Sequence, residues 1–138
     1  MASLLRLPLF ELHREKEDEP PRLRPRPPLP REQAQAALSA LIGLHDQALR
    51  EPLPFLPRSG YAFHAAADPA RGLRDAALKW CGDDRTRAES GPATQLALRG
   101  RDPFADGDAP GRERFGRIAD AVFAAVEHGT PFALEDLQ

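Results

Sequence analysis

The chain has 138 residues, enough for one modest domain with a core of its own. A formal net charge of -2 excludes a global basic field that would draw the whole molecule onto nucleic acid. The single cysteine, Cys81, excludes an internal disulfide and a cysteine zinc cluster, and no apolar run is long enough to span a bilayer.

Among the 19 basic residues only Lys16 and Lys79 are lysines, so the cations are almost all arginine. Arginine suits bidentate recognition of phosphate or carboxylate. GC-rich coding explains the same bias together with the 15 prolines and the alanine-rich helical patterns. The first ten residues are apolar, but Arg6 and Pro8 interrupt them, so they do not read as a signal peptide and a cytoplasmic protein is expected.

Leu5, Leu7 and Leu9 alternate and suggest a short strand or extended arm. The mixed-charge run from Glu11 to Glu19 reads as solvated. Pro20 to Pro30 interleaves prolines with Arg22, Arg24 and Arg26 and reads as a polyproline-like spacer. Residues 1–30 are thus expected to form a proline-rich arm and residues 31–138 the folded module.

A helix is expected from about Arg31 to Arg50, because Ala34, Ala37, Leu38, Leu41, Leu44, Ala48 and Leu49 recur at helical spacing after Pro30. His45 is expected at the edge of its buried face. In Pro52-Leu53-Pro54-Phe55-Leu56-Pro57 the prolines hold the backbone extended. Arg58-Ser59-Gly60 then reads as a turn, with Tyr61 and Phe63 on one side of a short extended piece. This stretch is either a packed connector or a docking or DNA-contacting loop carrying Arg58 and Tyr61. Asp68-Pro69 is a helix start, and Leu73, Ala76, Ala77 and Trp80 line one face of a helix over 69–81 that Gly82 stops. Trp80 is expected in the core, the alternative being a base-stacking or partner-anchoring role.

Thr94 to Arg99 alternates, with Leu96 and Leu98 on one side, and predicts a strand. Phe104 should pin the following turn to the core. Phe115, Ile118, Ala119, Val122 and Val126 predict a helix from about Arg112 to His128, ended by Gly129 and Pro131. Phe132 to Gln138 reads as a short acidic tail. The class is therefore α+β and helix-rich, with about three helices and one or two short strands.

Catalytic chemistry finds little support. Arg14 precedes Lys16 and Ala77 precedes Lys79 at the position where a carboxylate-x-Lys nuclease motif needs an acid. Gly-Lys-Ser/Thr and Gly-x-Ser-x-Gly do not occur. His13, His45, His64 and His128 are scattered without metal-ligand spacing, and Cys81 reads as a small buried apolar group. No catalytic residue, metal ligand or cofactor of the chain's own is expected.

The ordered segments resemble a known family. The helix with Ala37, Leu38, Leu41 and Leu44 precedes Pro52-Leu53-Pro54-Phe55-x-Pro57-x-Ser59, with Tyr61 and Phe63. Then come Ala76-Ala77-x-Lys79-Trp80-x-Gly82, Leu96-x-Leu98-Arg99-Gly100-x-Asp102-Pro103-Phe104 and Phe115-Gly116-x-Ile118-Ala119-x-x-Val122-Phe123. Over about residues 31–128 this order resembles the C-terminal region of the RecC family, the gamma subunits of exodeoxyribonuclease V.

The resemblance implies a non-catalytic piece of an ATP-dependent helicase–nuclease that processes DNA double-strand ends for recombinational repair. It implies part of a restriction-endonuclease-like PD-(D/E)XK domain that has lost its active site. The alpha and beta subunits become expected partners and DNA a further one, with ATP and Mg²⁺ acting on other subunits. Candidate contact residues are Arg58, Ser59, Tyr61, Lys79, Trp80, Arg99 and Arg101. The family protein is many times longer, which implies a truncated reading frame or an excised fragment, so duplex splitting and Chi scanning do not transfer. The alternative is a free-standing interaction module unrelated to the nuclease.

Overall fold

The computed structural model describes residues 9–13, 20–83, 87–105 and 107–138. Two short strands, β1 (Leu9–His13) and β2 (Arg22–Arg26), precede five helices: α1 (Arg31–Ala48), α2 (Pro57–His64), α3 (Pro69–Cys81), α4 (Pro92–Ala97) and α5 (Ala109–His128). A 3-10 turn over Leu134–Leu137 closes the chain. The architecture is helix-rich α+β, with two more helices than the periodicity predicts. Of the expected alternating strand, residues 1–8 lie outside the described residues.

The proline-rich segment is not a free spacer. β2 pairs antiparallel with β1, from Leu9 opposite Arg26 to His13 opposite Arg22. Each strand of a two-stranded ribbon has an open edge, which tolerates the missing N–H of Pro25. The ribbon's exit is anchored: Arg26 Nη1 donates to the Glu127 carbonyl at 2.9 Å, and Leu29 packs over Gly129, whose φ of 67° ends α5 in the left-handed region.

Helix starts follow local chemistry. Asp68 Oδ1 accepts the Arg71 N–H at 2.9 Å and Asp108 Oδ1 accepts the Gly111 N–H at 3.0 Å, each with proline in the first helical turn. The Asp108 cap explains why α5 starts at Ala109 rather than near Arg112. The predicted turn and extended piece at 58–63 is instead helical, because Pro57 occupies a first-turn position and the extended backbone stops at Leu56. Residues two apart on a helix diverge by about 200°. Tyr61 is accordingly half exposed, while Phe63 turns inward against Phe115 at 5.9 Å.

The predicted strand at 94–99 is also a helix, α4, entered through Gly91-Pro92. No neighbouring strand is paired with it among the described residues, so a strand there would lack ladder partners. Leu96 and Leu98 consequently fall on different sides, at 82% and 9% exposure.

α5 runs between two apolar clusters. Phe115 meets Leu56, Ala76, Trp80 and Leu98, with Phe63, Leu73 and Phe104 around them. Ile118 meets Leu44 and Leu137, with Leu53, Phe55, Val122 and Leu134 around them. Phe104 pins its turn through an edge contact with Phe115 at 4.8 Å. The end of the chain is not a simple acidic tail, since Leu134 and Leu137 close the second cluster. Val126, Leu38 and Leu49 leave their predicted buried stripes and are exposed, as are His45 and Cys81. Among the described residues nothing covers these side chains.

α2 packs close to both α3 and α5 because two glycines make room for Phe63. A Cβ on Gly72 would lie 2.9 Å from the Phe63 carbonyl oxygen, and one on Gly116 would lie 2.7 Å from the Phe63 ring. This close approach sets the width of the surface groove beside α2.

Candidate contact surfaces

The first surface is a groove between α2 and α3. It gathers Arg58, Tyr61 and Lys79, which the sequence marks as contact candidates, and adds Arg71 and Leu78. Ala62, Ala65 and Ala66 form a small-residue floor, and Asp75 and Asp83 bring opposing charge. Arg71, Asp75, Leu78 and Lys79 share one face of α3 through their helical spacing, a signal present in the sequence but overlooked there. Leu78 is 67% exposed and Tyr61 50% exposed, so the groove offers apolar area to solvent as well as charge.

Two residues of this groove are held in place. Tyr61 makes an edge contact with Phe123 at 5.4 Å, and the same Phe123 ring stacks against His64 at 5.7 Å. Arg58 Nη1 donates to the Arg87 carbonyl at 2.7 Å. Arg71 Nε lies 3.5 Å from Asp75, whereas Lys79 makes no ion pair with a described residue.

The start of α2 depends on a residue that local sequence reading misses. Leu56, its N-cap, has no side chain able to accept a hydrogen bond. Glu89 does that work from a distant loop: Oε1 accepts the Arg58 N–H at 2.8 Å, while Oε2 accepts the Ser59 N–H at 2.8 Å and the Ser59 hydroxyl at 2.6 Å. The loop is fixed by Glu89 N–H donating to the Lys79 carbonyl and Ser90 N–H donating to the Trp80 carbonyl. A carboxylate at a helix N-terminus also meets the positive end of the helix dipole. No fixed spacing could reveal a cap supplied about thirty residues downstream.

Ser59 and Trp80 are placed differently from the other candidates. Ser59 is fully buried and Trp80 is 6% exposed, so neither side chain belongs to the outer surface. Arg99 and Arg101 lie elsewhere, in a second hollow lined also by Pro52, Pro54 and Arg114. The seven candidates are thus divided between one groove, one hollow and the interior.

His64 bridges α2 and α5. Its Nδ1 is 2.9 Å from Asp120 Oδ1, and its Nε2 is 3.9 Å from Glu127 Oε2. The serine of α2, Ser59, is committed to Glu89, so this His–carboxylate pair does not activate it. No group of three His, Cys, Asp or Glu side chains among the described residues is arranged to hold a metal ion.

Arg114 Nη2 donates to Glu51 Oε1 at 2.9 Å and Arg114 Nε donates to the Leu137 carbonyl at 3.3 Å. Hydrogen bonds from Gln47 and then Arg114 hold the Glu51 carboxyl below its ordinary value of 4.5. A lowered carboxyl pKa stabilises the fold above the unfolded-state value, and that contribution disappears as pH falls through the folded-state value. Glu51→Gln is therefore expected to lower the melting midpoint slightly at pH 7, by an amount that shrinks as the pH is lowered below 4.5, as read by circular dichroism.

The chain is thus a helix-rich module with two arginine-bearing surfaces and no assembled metal centre among its described residues. The family model for the RecC C-terminal domain matches residues 2–68. Over that stretch, just under half of its length, the chain is similar to the RecC C-terminal domain. The match takes in β1, β2, α1 and α2 and stops at the cap of α3, so it starts earlier and ends earlier than the resemblance read from the sequence motifs. No curated protein and no solved structure matches the chain. No helix among the described residues is long and apolar enough to cross a membrane.

Proposed function

We propose that the chain serves as a non-catalytic contact module of the exodeoxyribonuclease V gamma subunit, docking the alpha or beta subunit through the α2–α3 groove. The observation that carries this reading is the convergence of Arg58, Tyr61, Leu78 and Lys79 on one exposed surface. Interface anchors are typically an aromatic ring and arginine with apolar area beside them, rimmed by charge. Tyr61 and Arg58 supply the anchors, and Arg71, Asp75 and Lys79 supply a mixed rim that favours a protein partner over an unbroken phosphate track. The inactive nuclease-like ancestry belongs to the same proposal and is supported by the missing carboxylate-x-Lys motif.

The test is association of the 138-residue chain with purified alpha and beta subunits, measured by biolayer interferometry. The wild-type chain is expected to bind one of them, and Tyr61→Ala with Lys79→Glu to weaken binding at least tenfold, the scale of an anchor residue. Equal binding by the folded variant would move the interface away from this groove. Failure of the folded wild type to bind either subunit would favour a free-standing interaction module. Binding to DNA that falls steeply with salt and depends on Arg58 and Lys79 would instead make the groove a DNA contact.

A further inference from the structure

The second hollow has a different character from the docking groove. It lies between the end of α4 and the first turn of α5, walled by Pro52, Pro54 and Pro103. Its volume is about 170 Å³. An apolar cavity of about 150 Å³ accepts one benzene ring, so a space of this size takes one small group rather than a stretch of folded chain. Three guanidinium-bearing residues, Arg99, Arg101 and Arg114, line it.

Arg99 reaches this position by an unusual route. The end of α4 is closed by Gly100 N–H donating to the Gln95 carbonyl at 2.7 Å and Arg99 N–H donating to the Leu96 carbonyl at 3.0 Å. In this capping arrangement the residue at position 99 must be left-handed, and glycine is the usual choice. Here it is arginine, at φ 54°. A side chain with a Cβ costs about 1 kcal/mol or more at such a position, so the local conformation alone favours glycine over arginine.

The charges in the hollow are unequally committed. Asp102 Oδ1 already accepts the Phe104 N–H at 2.9 Å, and Asp108 Oδ1 accepts the Gly111 N–H. Arg114 is oriented by Glu51 and the Leu137 carbonyl through Nη2 and Nε, while its Nη1 makes no hydrogen bond with a described residue. Arg99 and Arg101 make no side-chain hydrogen bond or ion pair with a described residue. Asp108 already accepts the Gly111 amide in the first turn of α5, and the arginines provide the uncommitted donors of the hollow. We propose that this hollow binds a phosphoryl group, with Arg99 and Arg101 as the mobile donors and Arg114 as the fixed one. Guanidinium forks match phosphate oxygens in bidentate geometry, and the proline walls admit the ester side of the group without demanding hydrogen bonds.

The group could belong to free phosphate or to a phosphate ester, and titration calorimetry of the full chain separates the two. The probes are inorganic phosphate, deoxythymidine 5′-monophosphate, deoxythymidine and sodium sulfate at fixed ionic strength. Both phosphates are expected to bind and deoxythymidine is not. Tighter binding of the monophosphate identifies an ester ligand, and equal binding identifies the free anion. Arg99→Gly is the informative variant, because it removes the guanidinium while restoring the residue that the backbone prefers. It should weaken phosphate binding about tenfold or more without lowering the melting midpoint, and Arg101→Ala should weaken it similarly. Unchanged affinity in the folded double variant would overturn the proposal. So would sulfate binding as tightly as phosphate with the same indifference to both substitutions, or no detectable phosphate binding at 10 mM. These readouts do not involve Arg58, Tyr61 or Lys79 and are independent of the docking proposal.

Discussion

Trp80→Ala is expected to lower the stability of the module by about 3–5 kcal/mol, the range for emptying a buried large aromatic site. For a domain of this length that corresponds to a fall in melting midpoint on the order of 10–20 °C. The ring is 6% exposed and is packed with Leu56, Ala76, Leu98 and Phe115. It also lies 6.2 Å from the Phe104 ring, which itself touches Phe115. Removing the indole therefore leaves a cavity under three elements: α3, α5 and the loop after α4. Relaxation is limited because Gly72 and Gly116 already hold α2 at close approach through Phe63. An unchanged midpoint would mean that Trp80 is exposed and available to a partner. Leu98→Ala and Leu96→Ala provide the internal control. A strand over 94–99 would make the two costs similar, whereas α4 confines the cost to buried Leu98 and leaves exposed Leu96 within about 0.5 kcal/mol of neutral.

The second large effect is expected at Glu89. Glu89→Ala removes the acceptors for two backbone amides and the Ser59 hydroxyl, and Ser59 is completely buried. A buried donor left without a partner costs about 1–3 kcal/mol, and bonds to a charged acceptor are the stronger kind. A loss of about 2–4 kcal/mol in a denaturant titration is expected. Ser59→Ala added to Glu89→Ala should recover part of it, because the buried hydroxyl is then gone. No recovery in that double-mutant cycle would mean that the hydroxyl and carboxylate are not coupled. The consequence reaches the surface, since the same cap fixes the first turn of α2 from which Arg58 projects. Amide exchange in α2 should accelerate in Glu89→Ala more than in α5.

The contrast between these two residues explains how much of the protein can be read from its sequence. Trp80 is legible because Leu73, Ala76, Ala77 and Trp80 recur within one helix bounded by Asp68-Pro69 and Gly82. α1 and α5 are legible for the same reason: a long periodic pattern samples several turns. α2 and α4 are short and enter through proline, so the cues that mark an extended segment also mark a first helical turn. The ribbon was hidden because prolines suppress the alternation signal, while pairing with β1 is a nonlocal event. At the site, Arg58, Tyr61 and Lys79 are each noticeable, yet nothing in their spacing says that α2 and α3 bring them together.

What the chain determines locally is the helix-rich class, the approximate positions of α1, α3 and α5, the Asp68 cap of α3, and the absence of a carboxylate-x-Lys motif. These depend on hydrogen bonds and side-chain periodicity spanning at most a few residues, all written in consecutive sequence. Tertiary structure alone decides that Glu89 caps α2, that Ser59 is interior, and that the exposed contact candidates divide between a groove and an arginine hollow. Those outcomes depend on how closely helices approach. Here that distance is set by Phe63 fitting between Gly72 and Gly116, a contact among residues far apart along the chain.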